Sequence, residues 1–294
     1  MAAPPADPGD PGDPADPGSR VEVDAELAVV SASVVKVLVA LEVLAAFADG
    51  RLAPGEVVEL PAAGRTPGPT GLSASPGDTS AALGELVAPM LAVSDNAATD
   101  VLLRRVGLDA VNRRARSLGL PGTVVVSDLA TMIASLAADT GFPDWAAMDR
   151  WAGAEQSPAD RARFLDRLVA AQALDPARAT RTTAAETARL LRLVWRDEAA
   201  PPPVCARLRT LLSGQVSRDR IASGFDPAFA VAAESGSLMS VVRNEAGVVT
   251  DPDGRAWAVA VFTRADRAYA RAADVDAAIG RAAALAVSFL RAGR

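Results

Sequence analysis

Ser31-Ala32-Ser33-Val34-Val35-Lys36-Val37 contains the sole lysine of a 294-residue chain whose other basic residues are all arginine and which has no histidine. The choice of lysine at this place has chemical content. A desolvated lysine can lose its proton near neutral pH, whereas arginine cannot. Ser33 lies one helical turn before it, so the two read as a nucleophile beside a general base. The other reading of Lys36 is a stem laid over apolar surface with its ammonium in water. Val34, Val35, Val37, Leu38, Val39, Leu41, Val43, Leu44 and Phe47 surround the pair on every side of a helix predicted over residues 33–48. A helix apolar all round belongs in the middle of a domain. Asp49-Gly50 ends it, with glycine where the chain turns left-handed. Ser33 is thus expected at the N-terminus of a buried helix, where the helix dipole favours developing negative charge.

Outward from this helix, residues 61–78 form a Pro/Gly/Ser/Thr loop that lacks the Gly-Lys-Ser/Thr ending of a phosphate-binding loop. A helix predicted over 80–93 runs into Ser94-Asp95-Asn96, and another starts at once. Ser94 and Asn96 also suit a plain helix cap. Residues 128–215 read as mainly helical, with Thr183-Ala184-Ala185-Glu186 spaced as a capping box. The period then changes to two. Residues 228–233, 241–250 and 257–263 read as strands, Asp251-Pro252-Asp253-Gly254 as a turn and 275–290 as a closing amphipathic helix. Residues 20–23 alternate as a further short strand, and residues 1–19 repeat Pro-Gly-Asp units expected to form a disordered arm. The sum is a mixed α/β (α+β) chain. Residues 20–60 and 216–294 are expected to build an antiparallel sheet flanked by helices, and residues 61–215 an all-helical subdomain.

Composition narrows the chemistry. A single cysteine, Cys205, and no histidine leave no intramolecular disulfide, no Ser-His-Asp or Cys-His machinery and no conventional zinc, haem or iron–sulfur ligand set. No cofactor is expected. A net charge of −6 with the two signs interspersed argues against nucleic acid. The cluster Arg104, Arg105, Arg113, Arg114 and Arg116 reads as a solvated helix face. No apolar run is long enough to cross a membrane, and Met1–Arg20 has neither the basic start nor the apolar run of a secretory signal. The sequence as written therefore reads as cytoplasmic, or as secreted where a leader has been removed, with a small molecule as its partner.

These residues resemble the serine β-lactamase and penicillin-binding superfamily, most closely class A β-lactamases. The family's Ser-x-x-Lys element matches Ser33-Val34-Val35-Lys36, and its Ser-Asp-Asn element matches Ser94-Asp95-Asn96, 61 residues later. Arg220-Ile221-Ala222-Ser223-Gly224 resembles the segment before the third motif, and Glu234-Ser235-Gly236-Ser237 occupies the third motif. The resemblance implies an acyl-enzyme on Ser33, formed with a lactam, amide or ester. Lys36 takes its proton and Ser94 relays one to the leaving group. Asn96 binds a substrate amide, and Asp95 bonds nearby backbone. The amides of Ser33 and Ser237 form the oxyanion hole. Glu234, Ser235, Gly236, Arg220 and Arg243 line the substrate side.

The chain departs from the family in three places. Glu234 stands where the family has lysine. A carboxylate there repels a substrate carboxylate and raises the pKa of Lys36. Glu234 is expected to pair with Arg220 or Arg243, to be protonated, or to mark a substrate that is neutral or cationic. The Glu-x-x-Leu-Asn loop that supplies the deacylating carboxylate is missing around Gln172-Ala173-Leu174-Asp175, leaving Glu155, Asp160 and Asp166 as candidates. The segment between Ser94 and Thr182 is also longer than usual. Finally, the Pro-Gly-Asp arm replaces the usual first helix and strand, which leaves a sheet edge open or covered by the arm. These departures make any β-lactamase activity weak. They keep two alternatives in play: an acyltransferase or esterase of small-molecule biosynthesis, and a ligand-binding member without turnover.

Overall fold

Helix α1 (Lys36–Ala48) is buried along almost its whole length in a computed structural model that describes residues 20–266 and 272–292. Its apolar side chains meet α2 (Leu83–Ala92), α3 (Asn96–Val106), α4 (Leu108–Ser117) and α9 (Pro202–Ser213), which explains why no face of it is polar. The one acidic residue on it, Glu42, is also buried. Arg51 and Arg114 reach in to pair with it at 2.7 and 2.8 Å. Gly50 closes the helix with φ +76°.

The main sheet is antiparallel, in the order β5 (Ala230–Leu238), β6 (Val242–Thr250), β7 (Ala256–Arg264). Both faces are covered. Val231, Ala233 and Val249 pack with Ile279 and Ala283 of α10 (Ala272–Ala292), while Ala232, Ala246 and Val248 join the core around α1. Alternation along β5 therefore puts Glu234 on the same face as Ala232, toward α1. Two short pairs complete the strands: β1 (Val29–Val30) with β4 (Arg181–Thr182), and β2 (Val57–Leu60) with β3 (Thr79–Ala82). Helices α5 (Leu129–Thr140), α6 (Trp145–Gly153) and α7 (Pro158–Val169) carry most of the long segment after Asn96, and α8 (Ala184–Trp195) returns to the sheet. Among the described residues no helix is long and apolar enough to cross a membrane.

Three local expectations shift. Residues 20–23 form no strand: Val21 and Val23 are 46% and 84% exposed, and the first strand is Val29–Val30. Residues 80–82 continue β3 rather than starting a helix, because Glu59 and Ser80 are paired across β2–β3 and α2 begins only at Leu83. Thr183 caps α8 by accepting from the Glu186 amide at 3.1 Å, but the Glu186 carboxylate does not close the box. It accepts instead from the Gly122 amide and the Thr123 hydroxyl, at 2.7 and 2.6 Å. The arginine cluster is a mainly exposed helix face, as expected, on which Arg104 pairs with Asp128, Arg105 with Glu56 and Arg114 with Glu42. The Pro-Gly-Asp arm lies outside the described residues.

The last helix reaches the sheet's edge turn through a glycine contact. A Cβ on Gly280 would stand 2.6 Å from the Arg220 carbonyl oxygen, and one on Gly224 would stand 2.0 Å from the Gly280 carbonyl oxygen. Backbone has no rotamer with which to move aside, so a methyl group must push α10 off the 221–224 turn. Gly280→Ala is therefore expected to cost about 1–3 kcal/mol of stability, read as a lower urea midpoint in an unfolding titration. An unchanged midpoint would show that the turn yields freely.

Candidate active site

The Ser33 turn comes first because everything else converges on it. Ala32–Val35 forms a 3-10 turn that runs directly into α1, so the serine precedes the helix by one tight turn. Ala32 is held at φ +47°, a strained conformation for a residue with a Cβ, at the position just before the serine. The sheet holds this turn from below. Asn244 of β6, fully buried, donates from Nδ2 to the carbonyls of Val30 and Ser31 at 2.9 and 3.3 Å, and accepts from the Thr263 amide at 3.0 Å. Gly236 of β5 passes so close that a Cβ there would lie 3.0 Å from the Ser33 amide nitrogen. The expected oxyanion donors, the amides of Ser33 and Ser237, thus belong to two segments in contact.

Lys36 is fully buried. Its Nζ donates to the Ser94 carbonyl at 2.6 Å, Ser94 Oγ at 2.9 Å and Asn96 Oδ1 at 3.0 Å. Three acceptors match the three donors of an ammonium. Ser94 Oγ in turn donates to Glu234 Oε1 at 3.1 Å. The other oxygen, Oε2, is buried without a hydrogen-bond partner among the described residues. Ser33 Oγ likewise makes no hydrogen bond among the described residues, although Ser33 and Lys36 stand one turn apart.

Electrostatics follow from burial. Desolvation lowers the Lys36 pKa to about 8, against the opposing pull of Glu234, Asp95 and Asp100. The expectation that Glu234 raises the lysine is right in sign but wrong in outcome, since loss of water outweighs one nearby carboxyl. Burial pushes Glu234 well above the ordinary carboxyl range, with Lys36 and the Ser94 hydrogen bond pulling the other way. The pairing of Glu234 with Arg220 or Arg243 does not occur. Arg220 Nε donates to Asp276 at 2.8 Å, and Arg243 donates to the same carboxylate at 2.8 and 2.6 Å. Each arginine is thereby neutralised on the side of the sheet away from Glu234.

Arg220 serves the site as a brace. Its guanidinium donates to the carbonyls of Gly236 and Asn244 at 3.0 and 2.5 Å and to Ser237 Oγ at 2.5 Å, fixing β5 beside the Ser33 turn. The Ser235 amide donates to Gln215 Oε1 at 2.7 Å, and Gln215 in turn donates to Glu245 at 2.9 Å. Asp95 caps α3, accepting from the amides of Ala97 and Ala98 at 2.9 and 3.2 Å. It also accepts from the Leu72 amide at 2.5 Å, which ties the 71–74 turn to the site. Gly71 permits that approach: its φ is +59°, and a Cβ would meet the Asp95 carboxylate at 2.4 Å. Ser94, between these elements, has φ +56°.

Ser33, Asn96 and Ser237 lie together on a cavity of about 650 Å³. Lys36, Ser94 and Glu234 stand behind them in the protein, and neither Arg220 nor Arg243 lines the space. Glu155, Asp160 and Asp166 are also absent from its lining. The carboxylates present are Asp128, which Arg104 holds at 2.7 Å, and the exposed Asp149. Sequence reasoning missed Asn244, Glu245, Gln215 and Asp276. Two adjacent polar residues, Asn244-Glu245, inside an otherwise apolar strand were the available sign.

Comparisons with known proteins bear on the fold and the family. At 29% identity over 275 residues, covering 84% of this chain and 80% of the other, the chain is similar to the β-lactamase regulatory protein BlaB of Streptomyces cacaoi. Its fold matches that of PBP-A in a mutant acyl-enzyme complex with penicillin G, with a TM-score of 0.69 at 17% identity over 91% of this chain and 85% of that one. A β-lactamase from Sphaerobacter thermophilus aligns at a TM-score of 0.68 and 23% identity over 94% and 86% of the two chains. A model of the β-lactamase enzyme family matches residues 13–290, and with that match spanning nearly the whole sequence, the chain belongs to this family.

Proposed function

We propose that this chain forms an acyl-enzyme on Ser33 with an uncharged ester, amide or lactam, and that the acyl group leaves slowly by hydrolysis. The observation that carries the reading is the buried Lys36, one turn from Ser33, with its pKa brought down to about 8. With no histidine and a single lysine in the sequence, the neutral amine of Lys36 is the side-chain nitrogen suited to act as the base. In the proposed step Ser33 Oγ attacks the substrate carbonyl, its proton passes to Lys36, and the carbonyl oxygen receives the Ser33 and Ser237 amides. The leaving alcohol or amine takes a proton back through Ser94, which hydrogen-bonds Lys36. The products of this half-reaction are the acyl ester of Ser33 and the protonated leaving group, free for an ester or open-chain amide and still tethered to the acyl group for a lactam.

Glu234 defines the proton inventory. With Lys36 charged, the chain of donors runs from Nζ to Ser94 Oγ to a Glu234 carboxylate. With Glu234 protonated, the same three groups hold a neutral lysine. Ser94 can pass the proton between the two ends without a change of position, so Glu234 is a positioning residue for the charge of Lys36. No arginine or lysine lines the cavity, so a substrate carboxylate finds no counter-ion there. This supports an uncharged substrate. The family's Glu-x-x-Leu-Asn carboxylate is missing, and the cavity wall carries only Asp128, held by Arg104, and the exposed Asp149; this supports transfer to an alcohol or amine, or slow hydrolysis, over efficient β-lactam turnover.

A second reading, a ligand-binding protein without turnover, has one structural observation in its favour. All three acceptors around Lys36 Nζ suit its charged form, and Ser33 Oγ is not yet engaged with it. The relative named as a regulatory protein fits that reading.

Three outcomes are expected. Intact-protein mass spectrometry after incubation with p-nitrophenyl butyrate should show a persistent butyryl adduct on the wild type and none on Ser33→Ala; an unmodified wild-type protein would favour the non-catalytic reading. The acylation rate should climb as pH rises through about 8, because Lys36 must lose its proton to act. In Glu234→Gln the neighbouring negative charge that raises Lys36 is gone, so the rising limb should move to lower pH. A limb that stays in place would separate Glu234 from the lysine's charge.

A further inference from the structure

Beside Ser33 the protein holds far more apolar space than a small acyl group needs. The cavity measures about 650 Å³, within the range of small-molecule binding sites. Ser33, Asn96 and Ser237 are among its polar groups, with Asp128 and Asp149 further along, while Val39, Leu103, Met132, Ile133, Leu136 and Trp145 supply much of the wall. Val39 and Leu103 belong to the main core and are 1% and 3% exposed, so the cavity reaches from the serine to the core. Met132, Ile133 and Leu136 come from α5 and Trp145 from α6, both within the long segment after Asn96. That segment supplies a wall made mainly of aliphatic and aromatic side chains, with Asp128 and Asp149 as its carboxylates.

We propose that this cavity receives the acyl chain of the substrate, making the chain selective for uncharged medium-chain aliphatic acyl donors, with the ester or amide carbonyl at Ser33 and the alkyl chain against α5 and α6. The proposal rests on the acylation of Ser33 argued above, and it adds what that reading leaves open, the identity of the acyl group. The wall has no cation to hold a charged chain, and its two carboxylates, Asp128 and Asp149, disfavour an anionic one. An alkyl chain in this space also keeps water from the acyl ester, which is then released to an acceptor slowly. Each methylene moved from water into such a wall improves binding by up to about fourfold, so preference must grow with chain length until the space is filled.

The test uses the full chain and a series of p-nitrophenyl esters, acetyl, butyryl, octanoyl and dodecanoyl, read by p-nitrophenolate release and by mass of the Ser33 adduct. Binding of N-methyloctanamide to Ser33→Ala, read by calorimetry, supplies an arm that needs no chemistry. The octanoyl ester is expected to exceed the acetyl ester at least about tenfold in kcat/KM. Met132→Trp and Leu129→Trp, two separate ways of filling the cavity, should each reduce that ratio several-fold and weaken the amide. Equal rates along the series, with Ser33 labelled and no amide bound, would overturn the acyl-chain site and leave Ser33 acylation standing. Amide binding that both tryptophan variants weaken, without labelling by any ester, would uphold the site and remove the acylation reading. Neither labelling nor binding would overturn both.

Discussion

Removing one ammonium group from water sets the conditions for the rest of this site. Lys36 begins a helix that is buried from its first residue, and its stem leaves Nζ no route to solvent. A buried charge must be hydrogen-bonded or given up. The protein does some of each: it surrounds Nζ with Ser94 and Asn96 oxygens and lowers the pKa to about 8. Ser94, bent into a left-handed conformation between α2 and α3, and Glu234, turned inward by the alternation of β5, are placed by that need. The same need explains why Lys36 is lysine in a chain that otherwise uses arginine, since a permanent cation at this depth could not be neutralised.

A second constraint concerns how the sheet is held to the helix. Asp276 on α10 fixes Arg220 and Arg243 together, and Arg220 then binds the carbonyls of Gly236 and Asn244 and the Ser237 hydroxyl. Asn244 completes the connection by holding the carbonyls just before Ser33. The two arginines that a sequence reading assigns to substrate thus join the last helix, the sheet and the serine turn into one rigid unit. Cations used this way are unavailable to a carboxylate in the cavity, which makes the absence of cations in its lining a consequence of architecture.

Much of this was legible beforehand. The all-round apolar pattern of residues 34–47 specified a buried helix, because no other placement satisfies it. The motifs Ser33-Val34-Val35-Lys36 and Ser94-Asp95-Asn96 carried the resemblance to the family. Residues 20–23 misled because alternation marks a strand only where a partner exists, and Val21 and Val23 have none. The fate of Glu234 was not legible at all. Its charge state depends on competition between desolvation and two neighbours, and its distance from the arginines depends on which face of β5 it occupies. Asn244 escaped notice for a related reason: a buried asparagine announces itself by the carbonyls it satisfies, which belong to a segment more than two hundred residues away.

The central claim is that burial, acting against Glu234, brings Lys36 within reach of neutral pH. Because the chain has a single lysine, protein grown with isotopically labelled lysine gives one side-chain resonance, and its pH titration by NMR reports on this site alone. A midpoint near 8 is the predicted result. A midpoint at the ordinary lysine value of about 10.4 would contradict the account, since Lys36 would then remain an ammonium at every physiological pH and could not take the Ser33 proton.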